Sequence, residues 1–305
     1  MASSSRVYVI GSSIVDTVYA VQRFVQPGES LIAVHSQVHP GGKGANQAMA
    51  AARLGCDVTF FTCVGQDPFA ETVLAPLAEE GVNLKYIQKT NRAGTGRASI
   101  SVLPDGTNAI IVDPGANMQL QPRTLLGDIM ALADPAVIVA QLESPLECTE
   151  AAFLYAQRKK IVTILNPAPA RKIPESLLAL CEFITPNETE CRILTGVDPH
   201  DLASCRRACE VLQGRGVGNV VLTLGDRGAF WKGPDAEAMF PARKVEAKDT
   251  TAAGDAFNGA LAAGLAQGMD VYPAIQRAVE VATLCVLKAG AQESMPRLDE
   301  FEVVR

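Results

Sequence analysis

The sequence predicts an α/β protein, a doubly wound and mostly parallel sheet flanked by helices, with a small separate β-sheet. Three observations carry this. Short apolar runs such as Val7-Tyr8-Val9-Ile10 and Val137-Ile138-Val139-Ala140 alternate with longer stretches of helical period. Two patches, residues 29–38 and 96–112, interrupt that alternation with strand signals of their own. A chain of 305 residues, 48% hydrophobic and 20% charged, is long and apolar enough for a full α/β core.

The elements follow in order. Arg6 to Ile10 is a short apolar strand closed by Gly11-Ser12-Ser13, as expected of a first buried parallel strand. Ligand groups sit just beyond the C-terminal ends of such strands, and Asp16 falls there, as a turn residue or a ligand. Glu29 to Val38 reads as a strand of loose alternation. Gly41-Gly42-Lys43-Gly44-Ala45-Asn46-Gln47 opens a long helix that stops at Gly55. The opening is neither a Walker A loop nor a dinucleotide fingerprint, since the required spacings are missing. Asp57 to Val64 is a strand, and Pro68 to Glu80 a helix with Pro at its start and Gly81 at its end. Gly96 to Leu103, an Asp105-Gly106 turn and Ala109 to Val112 make a hairpin. Together with 29–38 it forms the small sheet, whose few strands need a partner surface.

Pro122 to Ala133 is helical, Ala136 to Leu142 a buried strand, and Glu143 stands at its C-terminal end as a surface acid or a ligand. A helix over 146–159 and a strand over 161–165 follow, then a strand at 183–185. Asn187 and Glu190, three apart at a helix start, have the form of a capping box. Helix 201–213 leads to strand 219–224 and the turn Gly225-Asp226-Arg227-Gly228, which could be no more than a hairpin turn. The stretch Asp249-Thr250-Thr251-Ala252-Ala253-Gly254-Asp255 then opens a helix of small residues reaching Gln267, and a last helix runs from Pro273 to Lys288. With no bulky side chain over its first free N–H groups, the Ala252-Ala253-Gly254 opening can receive an anion. Asp255 puts a carboxylate beside that hole, as a helix cap or as a base for an attacking hydroxyl.

A net charge of −6 and an isoelectric point near 5.2 argue against nucleic acid or an acidic membrane as partner. Met1 to Ser5 is too short and polar for a signal peptide, and no apolar run reaches the length of a membrane span. The expectation is a cytoplasmic protein, with organelle or nuclear import left open. Eight cysteines without a C-x-x-C pair point to ordinary thiols in a reducing compartment. The three histidines have no ligand or triad spacing.

Asp249 to Asp255 resembles the C-terminal signature D-T-T/V-G-A-G-D of the ribokinase (PfkB) family of carbohydrate kinases, with Ala252 where many members have Gly. Gly41 to Asn46 resembles the same family's N-terminal signature, G-G-K/x-G-x-N, and the likeness extends over essentially the whole chain. It implies a ribokinase-like fold and ATP-dependent phosphorylation of the 5-hydroxyl of D-ribose. It divides the chain into a kinase body (1–13, 41–93, 114–305) and a lid (14–40, 94–113) that serves as a homodimer contact.

The resemblance also implies roles. Asp255 is the general base, with Ala252, Ala253 and Gly254 forming the anion hole. The sugar is held by Ile14, Asp16, Gly41, Gly42, Lys43, Gly44, Asn46 and Glu143, together with Asp255. ATP lies against Thr223, Leu224, Gly225, Asp226 and Gly228, with Gly254 and Val279, while Asn187 and Glu190 organise its phosphates and, indirectly, magnesium. An activating potassium ion takes Asp249, Thr251, Cys285, Lys288, Gly290 and Ser294, of which Lys288 offers only its backbone oxygen. Other sugar or nucleoside kinases of the family, deoxyribokinase first, and a non-catalytic sugar-binding regulator are the alternatives; a nicotinamide-dependent oxidoreductase is disfavoured by the missing glycine fingerprint.

Overall fold

Val7 and Val9 point to one face of the first strand and Tyr8 and Ile10 to the other, and all four are buried because helices cover both faces. The computed structural model describes residues 5–303, so the N-terminal part of the stretch read for a signal peptide lies outside the described residues. Its strands are β1 (Arg6–Ile10), β2 (Ile14–Ala20), β3 (His35–Gly41), β4 (Asp57–Phe61), β5 (Cys63–Gly65), β6 (Gln88–Thr90), β7 (Gly96–Val102), β8 (Asn108–Asp113), β9 (Val137–Ala140), β10 (Val162–Leu165), β11 (Phe183–Ile184), β12 (Asn219–Thr223), β13 (Ala229–Lys232) and β14 (Glu237–Phe240). Its helices are α1 (Lys43–Arg53), α2 (Phe69–Glu79), α3 (Pro122–Ala131), α4 (Leu146–Lys159), α5 (Glu175–Leu178), α6 (Glu188–Thr195), α7 (Leu202–Gln213), α8 (Ala253–Ala266), α9 (Val271–Cys285) and α10 (Leu298–Val303).

The main sheet has eight strands in the order β14-β13-β12-β11-β10-β9-β1-β4. It is parallel from β4 to β12 and antiparallel at β13 and β14. Residues of α1, α8 and α9 line one core and residues of α3, α4 and α7 the other. Strand order reverses between β1 and β9, where a doubly wound sheet opens a crevice beyond its strand ends.

A second sheet, β3-β2-β7-β8, stands apart from the first. The sequence reading missed β2, which carries Asp16 as a strand residue opposite His39 rather than in a loop. The strand expected over 29–38 is displaced to β3, because pairing with β2 begins only at His35 and ends at Gly41. The 29–34 stretch lies outside any strand, with Val34 N donating to the Ala20 carbonyl (2.8 Å) and Ile32 91% exposed. Also missed were β13 and β14, a short hairpin at the sheet edge.

Asn117 fastens the small sheet to the large one. Its Oδ1 accepts from Ser13 N (2.9 Å) and Thr62 Oγ1 (3.2 Å), and its Nδ2 donates to the carbonyls of Ser13 and Pro114 (both 2.9 Å). A buried amide has two donors and a two-lone-pair acceptor, and here all are used.

Candidate active site

The helix pair α1 and α8 builds the floor. Gly259 permits their approach, since a Cβ there would stand 2.5 Å from Ala50 Cβ and 2.8 Å from the Gln47 carbonyl. The crossing brings the first turn of α1 against the first turn of α8. Asn46 Nδ2 donates to Asp255 Oδ2 (2.9 Å) and Gln47 Nε2 to Asp255 Oδ1 (3.0 Å). Asp255 is 6% exposed and fixed at both oxygens, while Asn46 Oδ1 is buried without a protein partner.

Ala252 caps α8 at φ 61°, a left-handed conformation that costs a non-glycine residue about 1–3 kcal/mol. The turn frees the helix start. Ala253 N makes only a long 3.4 Å bond to the Thr250 carbonyl, and among the described residues the N–H groups of Gly254 and Asp255 meet no protein acceptor. A Cβ added at Gly254 would meet nothing within 4 Å, so the space above these donors is open. Asn258 steadies the turn, donating to the Gly254 carbonyl (2.8 Å) and accepting from Thr185 Oγ1 (2.7 Å) at the end of β11.

At the β1/β9 crevice, Ser12 Oγ and Lys43 N both donate to Glu143 Oε2, the latter at 3.1 Å. Ile14 opens β2, Asp16 follows on the same strand, and Gly41 closes β3 opposite Ile14. Gly42 is the N-cap of α1, so the small sheet runs into the helix without a linker, and Gly44 is buried in that helix's first turn.

Burial first, then the carboxylates of Glu143 and Asp255, push Asp16 up to about 7, against the opposing pull of His39 and Lys43. Burial alone would lower Lys43. The surrounding Asp255, Glu143, Glu190 and Asp16 outweigh it and hold the ammonium above its ordinary value.

The reciprocal capping box of Asn187 and Glu190 is formed, with Asn187 Oδ1 accepting from Glu190 N (2.8 Å) and Glu190 Oε2 accepting from Asn187 N (2.9 Å). Burial raises Glu190 despite its hydrogen bonds and Lys43. A parallel bridge joins Asn187 to Thr223. Leu224 N then bonds the Gly228 carbonyl (2.8 Å), making residues 225–227 the turn between β12 and β13, with Gly225 and Asp226 exposed. Val279 lies on α9, 8% exposed.

Asp249 ties two further segments, its Oδ1 accepting from Thr251 N (2.9 Å) and its Oδ2 from Gly290 N (3.0 Å). Burial alone would raise its pKa, but these bonds hold it below the usual carboxylate range. Cys285 and Ser294 meet side chain to side chain at 3.1 Å. Lys288 turns its ammonium away to Glu300. Among the described residues no group of three or more His, Cys, Asp or Glu is placed to hold a metal. The eight cysteines are free.

Gln47, Gln141 and Asn166, which form a buried hydrogen-bonded group behind Asp255, were given no role by the sequence reading. The only signal for them was a glutamine beside Asn46, because their partners are distant in sequence. A separate cavity of about 470 Å³ opens near Lys160, Thr163 and Gly216, but its Thr163 hydroxyl is bonded to the Leu180 carbonyl and no unpartnered buried side-chain atom lines it.

The family model for pfkB family carbohydrate kinases matches residues 4–298. The chain belongs to this family. It is therefore an ATP-dependent sugar kinase with the ribokinase-like α/β fold. It is 38% identical to the ribokinase of Staphylococcus aureus over 303 residues, spanning 99% of this chain and all of that one. It is also 38% identical to the deoxyribokinase of Salmonella typhi, over 96% of each chain. Identity is 40% to a bifunctional ribokinase/ribose-5-phosphate isomerase A of Fructilactobacillus sanfranciscensis, of which the match covers only 54%. Among solved structures, the Arabidopsis thaliana ribokinase complexed with ribose and ATP superposes with a TM-score of 0.91 at 27% identity, covering 100% of this chain and 99% of that one.

Proposed function

We infer that this carbohydrate kinase transfers the γ-phosphoryl group of ATP to the 5-hydroxyl of D-ribose. The observation that carries the reading is Asp255, a buried carboxylate beside free N–H donors at the open start of α8. Asp255 accepts the hydroxyl proton as the oxygen attacks phosphorus. The amides of Ala253, Gly254 and Asp255 hold the charge that develops on the transferring group. Ile14, Asp16, Gly41, Gly42, Gly44, Asn46 and Glu143 receive the sugar, with Asn46 Oδ1 free to accept from a sugar hydroxyl. Lys43, among four carboxylates, offers its charge to the phosphoryl oxygens.

The nucleotide would lie against Thr223, Leu224, Gly225, Asp226 and Gly228, with Gly254 and Val279. Asn187 and Glu190, already bonded to each other, would act on magnesium through its waters, and the metal would neutralise phosphate charge. The test is release of ADP and appearance of ribose 5-phosphate when purified protein meets ribose and ATP. No product with ribose or any related sugar would reject the reading. The deoxyribokinase relative at equal identity supports 2-deoxyribose as a second acceptor, and the ratio of kcat/KM for the two sugars decides between them.

Asp16 gives a pH prediction. Its folded-state value of about 7 lies above the unfolded 3.8, so its contribution to stability is full below about pH 4 and lost as pH rises through 7. The ionised form accepts from sugar hydroxyls at both oxygens and with charge assistance, where the protonated form keeps one good acceptor. Ribose affinity is expected to rise about tenfold between pH 6 and 8, as the competent fraction grows, and Asp16→Asn to flatten the profile. Calorimetric titration checks this, and a flat profile in the unaltered protein would reject the role.

A potassium ion at Asp249, Thr251, Cys285, Lys288, Gly290 and Ser294 would steady the turn that opens α8, since Asp249 already links Thr251 to Gly290. Turnover in potassium is expected to exceed that in sodium, and equal rates would remove the site. The lid (14–40 and 94–113) exposes apolar side chains on both faces, Ile110 at 55% and Val112 at 48% on the face that carries Asp16, and Ile111 at 77% and Val38 at 53% on the opposite face. A second copy of the chain would cover this face. Sedimentation is expected to give twice the chain mass, falling to the monomer in Ile111→Arg; a monomeric unaltered protein would exclude it. The free cysteines suit a reducing, cytoplasmic setting.

A further inference from the structure

Behind Asp255 runs a chain of buried amide side chains that the reaction described above does not use. Gln47 and Gln141 are 0% exposed and Asn166 is 6% exposed. Gln47 Nε2 donates to Asp255 Oδ1 at 3.0 Å and to Asn166 Oδ1 at 3.1 Å, and its Oε1 accepts from Gln141 Nε2 at 2.6 Å. A primary amide has two N–H donors, and both are spent on acceptors that cannot donate in return. Turning the Gln47 amide over would set its oxygen against two oxygens and its nitrogen against the Gln141 nitrogen, so its orientation is unique. Asn166 is held in turn, donating to the Thr185 carbonyl at 3.4 Å. Gln141, Asn166 and Thr185 directly follow β9, β10 and β11, so three parallel strands anchor a network that ends on one oxygen of the carboxylate.

We propose that Gln47 is a positioning residue: it locks the Asp255 carboxylate in the rotamer that receives the hydroxyl proton, with Gln141 and Asn166 acting through it. The proposal rests on the assignment of Asp255 as base. Without Gln47, only the Asn46 bond would fix the carboxylate, which could then swing about its Cβ–Cγ bond. Small displacements of a reacting group are costly, about 10²-fold for roughly 1 Å. The amide is neutral, so it orients the carboxylate without adding to a site already crowded by Asp16, Glu143, Glu190 and Lys43.

The test is a mutant cycle on the full chain, with kcat and the KM for ribose measured for Gln47→Leu, Gln141→Leu, Asp255→Asn and the Gln47→Leu/Asp255→Asn double variant. Gln47→Leu is expected to lower kcat by about 10²-fold with KM for ribose within about threefold. Gln141→Leu, which touches Gln47 but not Asp255, is expected to lower kcat in the same sense by about tenfold. In the Asp255→Asn background, Gln47→Leu should change the residual rate by less than about threefold, because nothing remains to be aimed. An equal fractional loss in both backgrounds, or a rise in KM in place of the fall in kcat, would mark Gln47 as plain packing and overturn the proposal. Wild-type kcat in Gln47→Leu beside a crippled Asp255→Asn would do the same. Should Gln47→Leu fail to fold, Gln141→Leu carries the cycle, and its additivity with Asp255→Asn would be equally fatal. An Asp255→Asn variant at wild-type rate removes the base itself, a different failure that this set of variants recognises.

Discussion

Asp255→Asn is expected to lower kcat by about 10²- to 10⁴-fold while ribose affinity stays within a few-fold, the range for losing a general base. Asparagine keeps the shape and one acceptor oxygen but cannot take up the hydroxyl proton. The helix start is unchanged by the exchange, since the N–H groups of Gly254 and Asp255 belong to the backbone and the open space above Gly254 remains. Binding and chemistry should therefore separate. Steady-state rates together with ribose titration check this, and a variant turning over at the unaltered rate would end the case for Asp255 as base.

Gly42→Ala is expected to damage fold and sugar binding together. Gly42 has φ 93° and ψ 133°, which an L side chain rarely adopts, and a Cβ there would stand 2.8 Å from Ile14 N and Ser13 Cα and 3.0 Å from the Ser12 carbonyl. All three are backbone atoms, so no side chain can swing away. Conformational strain of about 1–3 kcal/mol adds to overpacking of about 1–3 kcal/mol, a fall in Tm on the order of 10 °C. Because Ser12 also donates to Glu143, the displaced strand end would carry the sugar acceptors with it. Thermal melts with and without ribose measure both effects, and an unchanged Tm would contradict the geometry.

The buried parallel strands were legible because apolar side chains on both faces give short continuous runs, as in β1 and β9. The capping box at Asn187 and Glu190 was legible because it closes within four residues. What escaped depends on distance along the chain. Strand β2 is the exception, since Ile14–Ala20 is rich in β-branched residues and was legible locally, although its parallel partner β7 lies some 80 positions away. β13 and β14 are four-residue strands, with β14 alone at the sheet edge, and their mixed burial leaves little pattern. At the site, the two signatures placed Asn46 and Asp255, but not the amide chain behind them. Gln47 lies 94, 119 and 208 positions from its three partners, so only folding discloses that it has them.

The clasp formed by Asn117 bears on how this molecule can be re-engineered. The small sheet enters and leaves the body where that one amide grips Ser13 and Pro114, and β3 passes straight into α1 at Gly42. The sheet is thus a cassette in a rigid socket. Its outward faces could be exchanged with those of a relative to test whether they drive self-association, provided the socket residues Ser13, Gly42, Pro114 and Asn117 are transplanted unaltered.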